Sequence, residues 1–338
     1  LAVDGVSWRV LLEDVETAYR QLTNRGAIQF PAKTTSFQRW AEQMREYAQS
    51  YTLRRETNYW LAETRQRVPH LPIDHEVSPE ANTEASARTV VVTLSVAETR
   101  ALLQEAPKAY HTQINDALLT ALAETFREWT GAPALLVDLE GHGREPVVEH
   151  IDLSRTVGWF TSIFPVLLDV SEANGPGQTL PAIKEQLRKI PQHGIGYGLL
   201  RYLQEDREIV AQLQHLPQAE ISFNYLGQFD QVAPEAALFS AARESSGPPL
   251  SLRGKRRHLL ELIGSVAGEQ LRLTWIYSEH IHRRATIERL AQRYIETLRT
   301  LIVHCLSPEA GGYTPSDFPL AKLDARTLSK LSALMEEE

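Results

Sequence analysis

The sequence predicts a mixed α/β fold, built as one large domain or as two lobes. At 338 residues the chain is longer than one hydrophobic core ordinarily spans. Its middle reads in the order strand, helix, helix, strand, with β-branched runs set between amphipathic helical patterns. Near the C-terminus two strand-like runs, about His258 to Val266 and Gln270 to Tyr277, flank Ala267-Gly268-Glu269 and read as a hairpin.

Each element has a local cause. From Ser7 to about Leu22, Trp8, Leu11, Leu12, Val15, Ala18, Tyr19 and Leu22 recur at helical spacing opposite Glu13, Asp14, Glu16 and Arg20, so an amphipathic helix is entered through Asp4-Gly5. A second helix is expected from Thr35, where Thr35 and Gln38 have capping-box spacing, and a third through Tyr59 and Trp60. Prolines and polar residues between Val68 and Ala87 read as a linker. Thr89 to Leu94 is strand-like, Ser95 with Glu98 forms a further capping box, and Asn115 to Trp129 reads as a helix leading through Gly131 and Pro133 into the next strand. A strand over Ile163 to Val170, a helix from Thr179 to near Pro191, a glycine-rich turn at Gly194, Gly196 and Gly198, and a strand over Glu220 to Tyr225 follow. A helix from about Ala285 to Leu306 and an extended tail complete the chain, with Leu323, Leu328, Leu331 and Leu334 hinting at a short terminal helix. The domain division expected is 1–72 as the remainder of an N-terminal lobe, 73–87 as linker, 88–310 as a C-terminal lobe and 311–338 as an interdomain linker.

Composition narrows the function. A net charge of −8 without an extended basic block argues against nucleic-acid or anionic-membrane surfaces. The single Cys305 lies in an apolar helical pattern and reads as core, which fits a reducing cytoplasm and excludes a disulfide framework. No apolar run approaches the ~20 residues needed to cross a bilayer, and no signal-like segment opens the chain, so a soluble cytoplasmic protein is expected. Leu1-Ala2-Val3-Asp4-Gly5 reads as the tail of a strand running into a helix, so the chain is expected to start in mid-domain.

The chemistry centres on Glu140. Ala134 to Leu139 reads as a buried strand that delivers Glu140 into Gly141-His142-Gly143-Arg144-Glu145, a turn whose two glycines allow positive φ and close approach to a ligand. Such a carboxylate is an acid or base held against a substrate; for a lone motif the alternative is a solvated surface Glu. His142, Glu145, Glu149 and His150 suggest a metal by residue type, but their spacing matches no zinc helix pattern and Gly141, Gly143 and Pro146 would break such a helix. Gly194, Gly196 and Gly198 lack the helix start and Lys of a phosphate loop, and Ser7 and Ser154 lack a base and orienter.

In sequence order, Val3 to Arg9, Glu140 to Glu145, Arg155 to Thr161, Gly194 to Gly198 and Phe223 to Asp230 resemble the motifs of epimerization domains of nonribosomal peptide synthetases, members of the condensation-domain superfamily. The resemblance covers nearly the whole chain. It implies an α/β fold of α+β sandwich type, with two chloramphenicol-acetyltransferase-like lobes in a V around a tunnel and the first lobe incomplete. It also implies L-to-D epimerization at Cα of an aminoacyl or peptidyl thioester. The substrate rides the phosphopantetheine arm of a peptidyl carrier protein upstream, a condensation domain or partner module lies downstream, and no intrinsic cofactor or metal is required. In the family a His-His pair precedes the Asp by three residues; here those three are Leu1, Ala2 and Val3, so the pair would lie before Leu1 and the fragment alone is expected to lack activity.

Carried over to matching positions, Glu140 is the catalytic acid/base, while Asn224 and Tyr225 orient the thioester or stabilise the enolate oxygen. For Tyr225 a core aromatic with a satisfied hydroxyl remains an equal alternative. Asp4 and Gly5 are structural at the site, with Arg144 as the partner of Asp4 against the alternative of two solvated charges. Gly158 permits close backbone approach, and Trp159 with Phe160 packs beneath the tunnel. Two rivals remain: a condensation domain forming a peptide bond, and a non-catalytic carrier-binding domain.

Overall fold

Helices lead into and flank a single sheet in the computed structural model, which describes residues 2–62, 68–76, 78–228, 238–239, 244, 247, 250–321 and 327–328. The chain begins with α1 (Gly5–Thr23), α2 (Phe37–Ala48) and the single turns α3 (Tyr51–Arg54) and α4 (Thr57–Trp60). Strand β1 (Ala87–Thr93) is followed by α5 (Val96–Arg100) and α6 (Ala106–Tyr110), joined through a π-helical turn, and then by α7 (Ile114–Thr130). Next come β2 (Ala134–Gly141), β3 (Ser162–Asp169), α8 (Pro176–Arg188), α9 (Ile195–Tyr202) and α10 (Arg207–His215). The chain continues through β4 (Ile221–Gln228), the hairpin of β5 (Leu260–Ala267) and β6 (Gln270–Ser278), and α11 (Arg284–Cys305).

The six strands lie in the order β1-β6-β5-β4-β2-β3. Strand β4 runs parallel to both β2 and β5, while β3 and β1 pair antiparallel at the two edges. Alternation decides which face is buried: Leu260, Leu262 and Val266 of β5 and Leu271, Leu273, Trp275 and Tyr277 of β6 all turn inward, into a core shared with Leu118, Leu122, Tyr294 and Leu298 of α7 and α11. Each fully buried large side chain there contributes about 1.5–3 kcal/mol. Cys305 joins this core, and burial pushes its thiol up to about 11.

Several expectations change in detail. Helix α2 is capped by Ser36, which accepts from Arg39 N, while Thr35 instead exchanges hydrogen bonds with Asp152. The glycine-rich turn is the start of α9. Helix α10, capped by Asp206, was not foreseen. In α1 the apolar stripe is not buried: Trp8, Val15, Tyr19 and Leu22 are each more than half exposed, because the helix is fastened chiefly through its first turns and through Arg155 to Glu13 and Asp14. The segment read as a linker after Val68 runs against the sheet, with Leu71 N donating to Glu220 and Asp74 N to Ile281 O. The extended tail is tied down too: buried Lys184 donates to both carboxylate oxygens of Asp317 at 2.7 and 2.8 Å and to Tyr110 O. Of the leucines hinting at a terminal helix, Leu323, Leu331 and Leu334 lie outside the described residues, as do Phe229 and Asp230.

Candidate active site

Strand β2 ends beside the middle of its parallel neighbour β4, and a cleft of about 950 Å³ opens there. The first turns of α1, the N-terminal turn of α7, the end of α8 and the loop between β2 and β3 supply its other walls. Its volume falls within the roughly 300–1,000 Å³ of small-molecule sites. Glu140, Asn224 and Tyr225 line it together with Asp4, Gly5 and Trp159.

Because Leu139 pairs with Phe223, the next residue along each strand brings Glu140 beside Asn224, whose Nδ2 donates to Glu140 Oε2 at 2.5 Å. Glu140 belongs to β2 itself rather than to the turn, and Gly141 still pairs with Ser162. Only Gly143 of the two glycines has positive φ, at 67°, and a Cβ there would come within 1.7 Å of Phe160 O. The Glu140 side chain exposes surface to the cleft while dense protein beneath it strips away solvent. That burial, reinforced by the charge of Glu261 and opposed by His258, raises its carboxyl above the ordinary range. A raised carboxyl is the better proton shuttle near neutrality.

Asn224 and Tyr225 sit within β4 rather than at its end, just before a register irregularity between Tyr225 and Gln228. Tyr225 is half-buried, its phenol is raised by burial, and its hydroxyl makes no hydrogen bond among the described residues. That is an unclaimed polar group at the cleft, unlike a satisfied core aromatic.

Asp4 caps α1. Its carboxylate accepts from Ser7 N at 2.7 Å, from Phe160 N at 3.2 Å and from Arg144 Nη2 at 3.1 Å. Burial pushes this carboxyl up, but the Ser7 hydrogen bonds and the Arg144 guanidinium outweigh it and hold it below its ordinary value. Arg144 is itself buried; it donates to Leu153 O and Thr156 O and lies over the Phe160 ring. Ser7 Oγ donates to Gly158 O and accepts from Gly158 N. Gly158 permits close approach, but of a neighbouring side chain: a Cβ would sit 2.2 Å from the Phe37 ring. Phe160 packs against Phe37 and Trp40, whereas Trp159 does not pack beneath the cleft; it is 38% exposed and forms part of the wall.

Two groups escaped sequence reasoning. Buried Asp116 at the start of α7 takes a two-point contact from Arg188 at 3.0 and 2.7 Å, placing a guanidinium at the cleft. Glu145 contacts both His142 and His193, the latter just before the glycine-rich stretch that opens α9. Nothing in the sequence joins residues 48 positions apart. Glu149 and His150 are almost wholly exposed and stand apart from this pair. Among the described residues no cluster of three or more His, Cys, Asp or Glu is arranged to hold a metal. Helix α9 follows Gly194 without a phosphate-loop lysine. No helix among the described residues is long and apolar enough to cross a membrane.

The sheet, its helices and the cleft define a known class: the chain belongs to the condensation-domain family, whose profile matches residues 1–323. A solved epimerization domain, from the third module of tyrocidine synthetase B, superposes with a TM-score of 0.83 at 38% identity, over 90% of this chain and 68% of that one. The six-stranded mixed sheet and its flanking helices match the fold of that domain. The X-domain from teicoplanin biosynthesis shares the fold, with a TM-score of 0.63 at 18% identity over 91% of this chain and 68% of that one. One of the polypeptides of linear gramicidin synthase from Brevibacillus parabrevis is 54% identical over 328 residues, which are 97% of this chain and 4% of that protein. Tyrocidine synthase 1 of Brevibacillus parabrevis is 38% identical over 346 residues, 99% of this chain and 31% of that protein. The chain thus spans a small part of these curated relatives.

Proposed function

We propose that this chain is an epimerization domain that interconverts the L and D forms at Cα of an aminoacyl or peptidyl thioester. The observation that carries the reading is the position of Glu140: a carboxyl raised by burial, hydrogen-bonded by Asn224, on the wall of a substrate-sized cleft. Likeness at 38% identity to a solved epimerization domain supports it. The substrate is delivered on the phosphopantetheine arm of a peptidyl carrier protein upstream in a nonribosomal peptide synthetase, and the product passes to a condensation domain or partner module downstream. The setting is cytoplasmic, without nucleic acid or membrane. With this reading goes a division into an N-terminal lobe portion (1–72), a linker (73–87), a C-terminal lobe (88–310) and an outgoing linker (311–338).

The Glu140 carboxylate takes the proton from Cα, the C–H electron pair moves into the Cα–carbonyl bond, and charge collects on the thioester oxygen. Asn224 fixes the carboxylate, and the Tyr225 hydroxyl is free to donate to that oxygen. Return of a proton to the opposite face completes inversion. Asp4, Arg144, Ser7 and Gly158 hold the cleft wall in place.

The test is incubation of the intact polypeptide with one loaded carrier in deuterated buffer. Incorporation of deuterium at Cα with D/L equilibration is expected, and Glu140→Gln should abolish it while carrier binding persists. The family match also admits peptide-bond formation. Dipeptide from two loaded carriers, without α exchange from one, would replace the present reading; carrier binding with neither product would identify a non-catalytic platform.

A further inference from the structure

Glu145 lies in the same cleft, and the steps above leave it without a task. It is 8% exposed, and each of its oxygens meets a different imidazole: Oε1 lies 3.2 Å from His142 Nε2 and Oε2 lies 2.7 Å from His193 Nδ1. The surrounding hydrogen bonds assign the protons. The Arg144 backbone N–H donates to His142 Nδ1 at 3.0 Å, so that nitrogen is the acceptor and His142 Nε2 carries the proton directed at Glu145. His193 Nδ1–H donates to the other oxygen, which leaves His193 Nε2 with no partner among the described residues. The His193 side chain is 80% exposed and lines the cleft.

The backbone adds a second observation. Gln192 and His193 both have left-handed φ, 43° and 51°, immediately before Gly194 at 88°. Residues other than glycine hold that conformation where the surroundings impose it, and such positions cluster at functional sites. A Cβ on Gly141 would lie 3.6 Å from His193 O, an ordinary contact distance, so the His193 loop runs beside the strand that carries Glu140. A buried carboxylate orienting one imidazole nitrogen of a histidine that lines a substrate-sized cavity, the other nitrogen unclaimed among the described residues, is an arrangement suited to an acid/base histidine.

We propose that His193 is a second catalytic residue of this cleft, oriented by Glu145, which donates a proton from Nε2 to the thioester oxygen as Glu140 removes the α proton. This inference rests on the epimerization reading. The Cα–H bond breaks, its electron pair forms the Cα=C bond, the carbonyl π pair moves onto oxygen, and the His193 imidazolium proton is transferred to that oxygen. On the return step the proton goes back to Nε2, the carbonyl re-forms, and Cα takes up a solvent proton on the face opposite Glu140 while the proton held by Glu140 is lost to solvent. Nothing is oxidised or reduced. The Glu145 carboxylate fixes the imidazole through its Nδ1. Of the other charged groups lining the cleft, Glu140 on β2, His142 on the following loop, Asp116 on α7, Arg188 on α8 and Asp4 and Arg9 before and within α1, none is hydrogen-bonded to His193 among the described residues.

The test uses the intact polypeptide and carriers loaded with α-deuterated leucyl and phenylalanyl thioesters. His193→Asn removes the imidazole but keeps a residue that tolerates left-handed φ. Loss of α-deuterium is expected to slow about 100-fold from both the L and the D substrate, with melting temperature and carrier affinity unchanged. In His193→Ala, free imidazole should restore part of the rate. Glu145→Gln, which perturbs a positioning residue, should lower kcat with KM for the carrier unchanged. Exchange in His193→Asn within about threefold of wild type overturns the proposal while leaving epimerization standing. A rate that imidazole does not restore, accompanied by a lowered melting temperature, reduces His193 to a structural role. Wild-type protein that exchanges neither substrate removes both readings together.

Discussion

Asp4→Ala tests the framework that holds the cleft wall. The substitution removes the cap of α1, ordinarily worth about 1 kcal/mol. It strands the buried Phe160 N–H, a loss of about 1–3 kcal/mol. It also deprives Arg144 of its counter-ion at a site where the Arg144 side chain is 8% exposed, and breaking a buried pair from one side costs about 3–5 kcal/mol. Arg144 keeps the carbonyls of Leu153 and Thr156 and the face of Phe160, so the sum falls at the lower end, about 5 kcal/mol. Against a total stability of about 5–15 kcal/mol this is a large fraction. Urea unfolding of wild type, Asp4→Ala, Arg144→Met and the double variant measures it, with a coupling of at least about 1.5 kcal/mol expected between the two sites. The pH dependence has a definite sign. Because the folded carboxyl is held below its ordinary 3.8, the advantage of Asp4 over Asp4→Asn is fully present above that value and disappears as pH falls through the lowered folded one. An Asp4→Ala protein within about 1 kcal/mol of wild type, or a negligible coupling, would refute the reasoning.

Glu140→Gln should lose epimerization yet unfold no more easily at neutral pH. The raised carboxyl means that its charged form opposes folding there, and the neutral amide removes that opposition while its oxygen still accepts from Asn224; a clear drop in stability at pH 7 would contradict this. Gly143→Ala should destabilise by more than about 2 kcal/mol, since the new methyl meets Phe160 O and φ is positive. Gly198→Ala within α9, where a Cβ meets nothing, should gain about 0.5–1 kcal/mol; thermal unfolding of the pair checks the contrast. Lys184→Met should release the Thr314–Asp317 turn, because Asp317 loses the ammonium that holds its carboxyl low; faster proteolysis within 311–321 than in wild type is the expected readout, and an unchanged cleavage pattern counts against the clamp.

What sequence reasoning reached and what it missed divide along the range of the interactions. The Ser95 box with Glu98, the β5–β6 hairpin and the span of α7 were legible because each is encoded within a few residues. Even there the choice of Ser36 over Thr35 as a cap was not, since Thr35 is drawn off by Asp152, 117 positions away. Glu140 stood out because one apolar strand delivers it, but its contact with Asn224 spans 84 positions and comes from the parallel pairing of β2 with β4. The Asp4–Arg144 contact was anticipated through family resemblance rather than spacing, and it forms where both residues meet Phe160, Asp4 at the Phe160 backbone N–H and Arg144 over the Phe160 ring. The same loop between β2 and β3 therefore does two things at once. Arg144 faces one way to fasten α1, and Glu145, the next residue, faces the other to grip His193. Adjacent residues of this loop thus meet partners on two different elements of the cleft wall. A change that loosens the Arg144 side is thus expected to reach the His193 side through one peptide unit, which makes the cleft a mechanical consequence of the loop and not only of the strands that floor it.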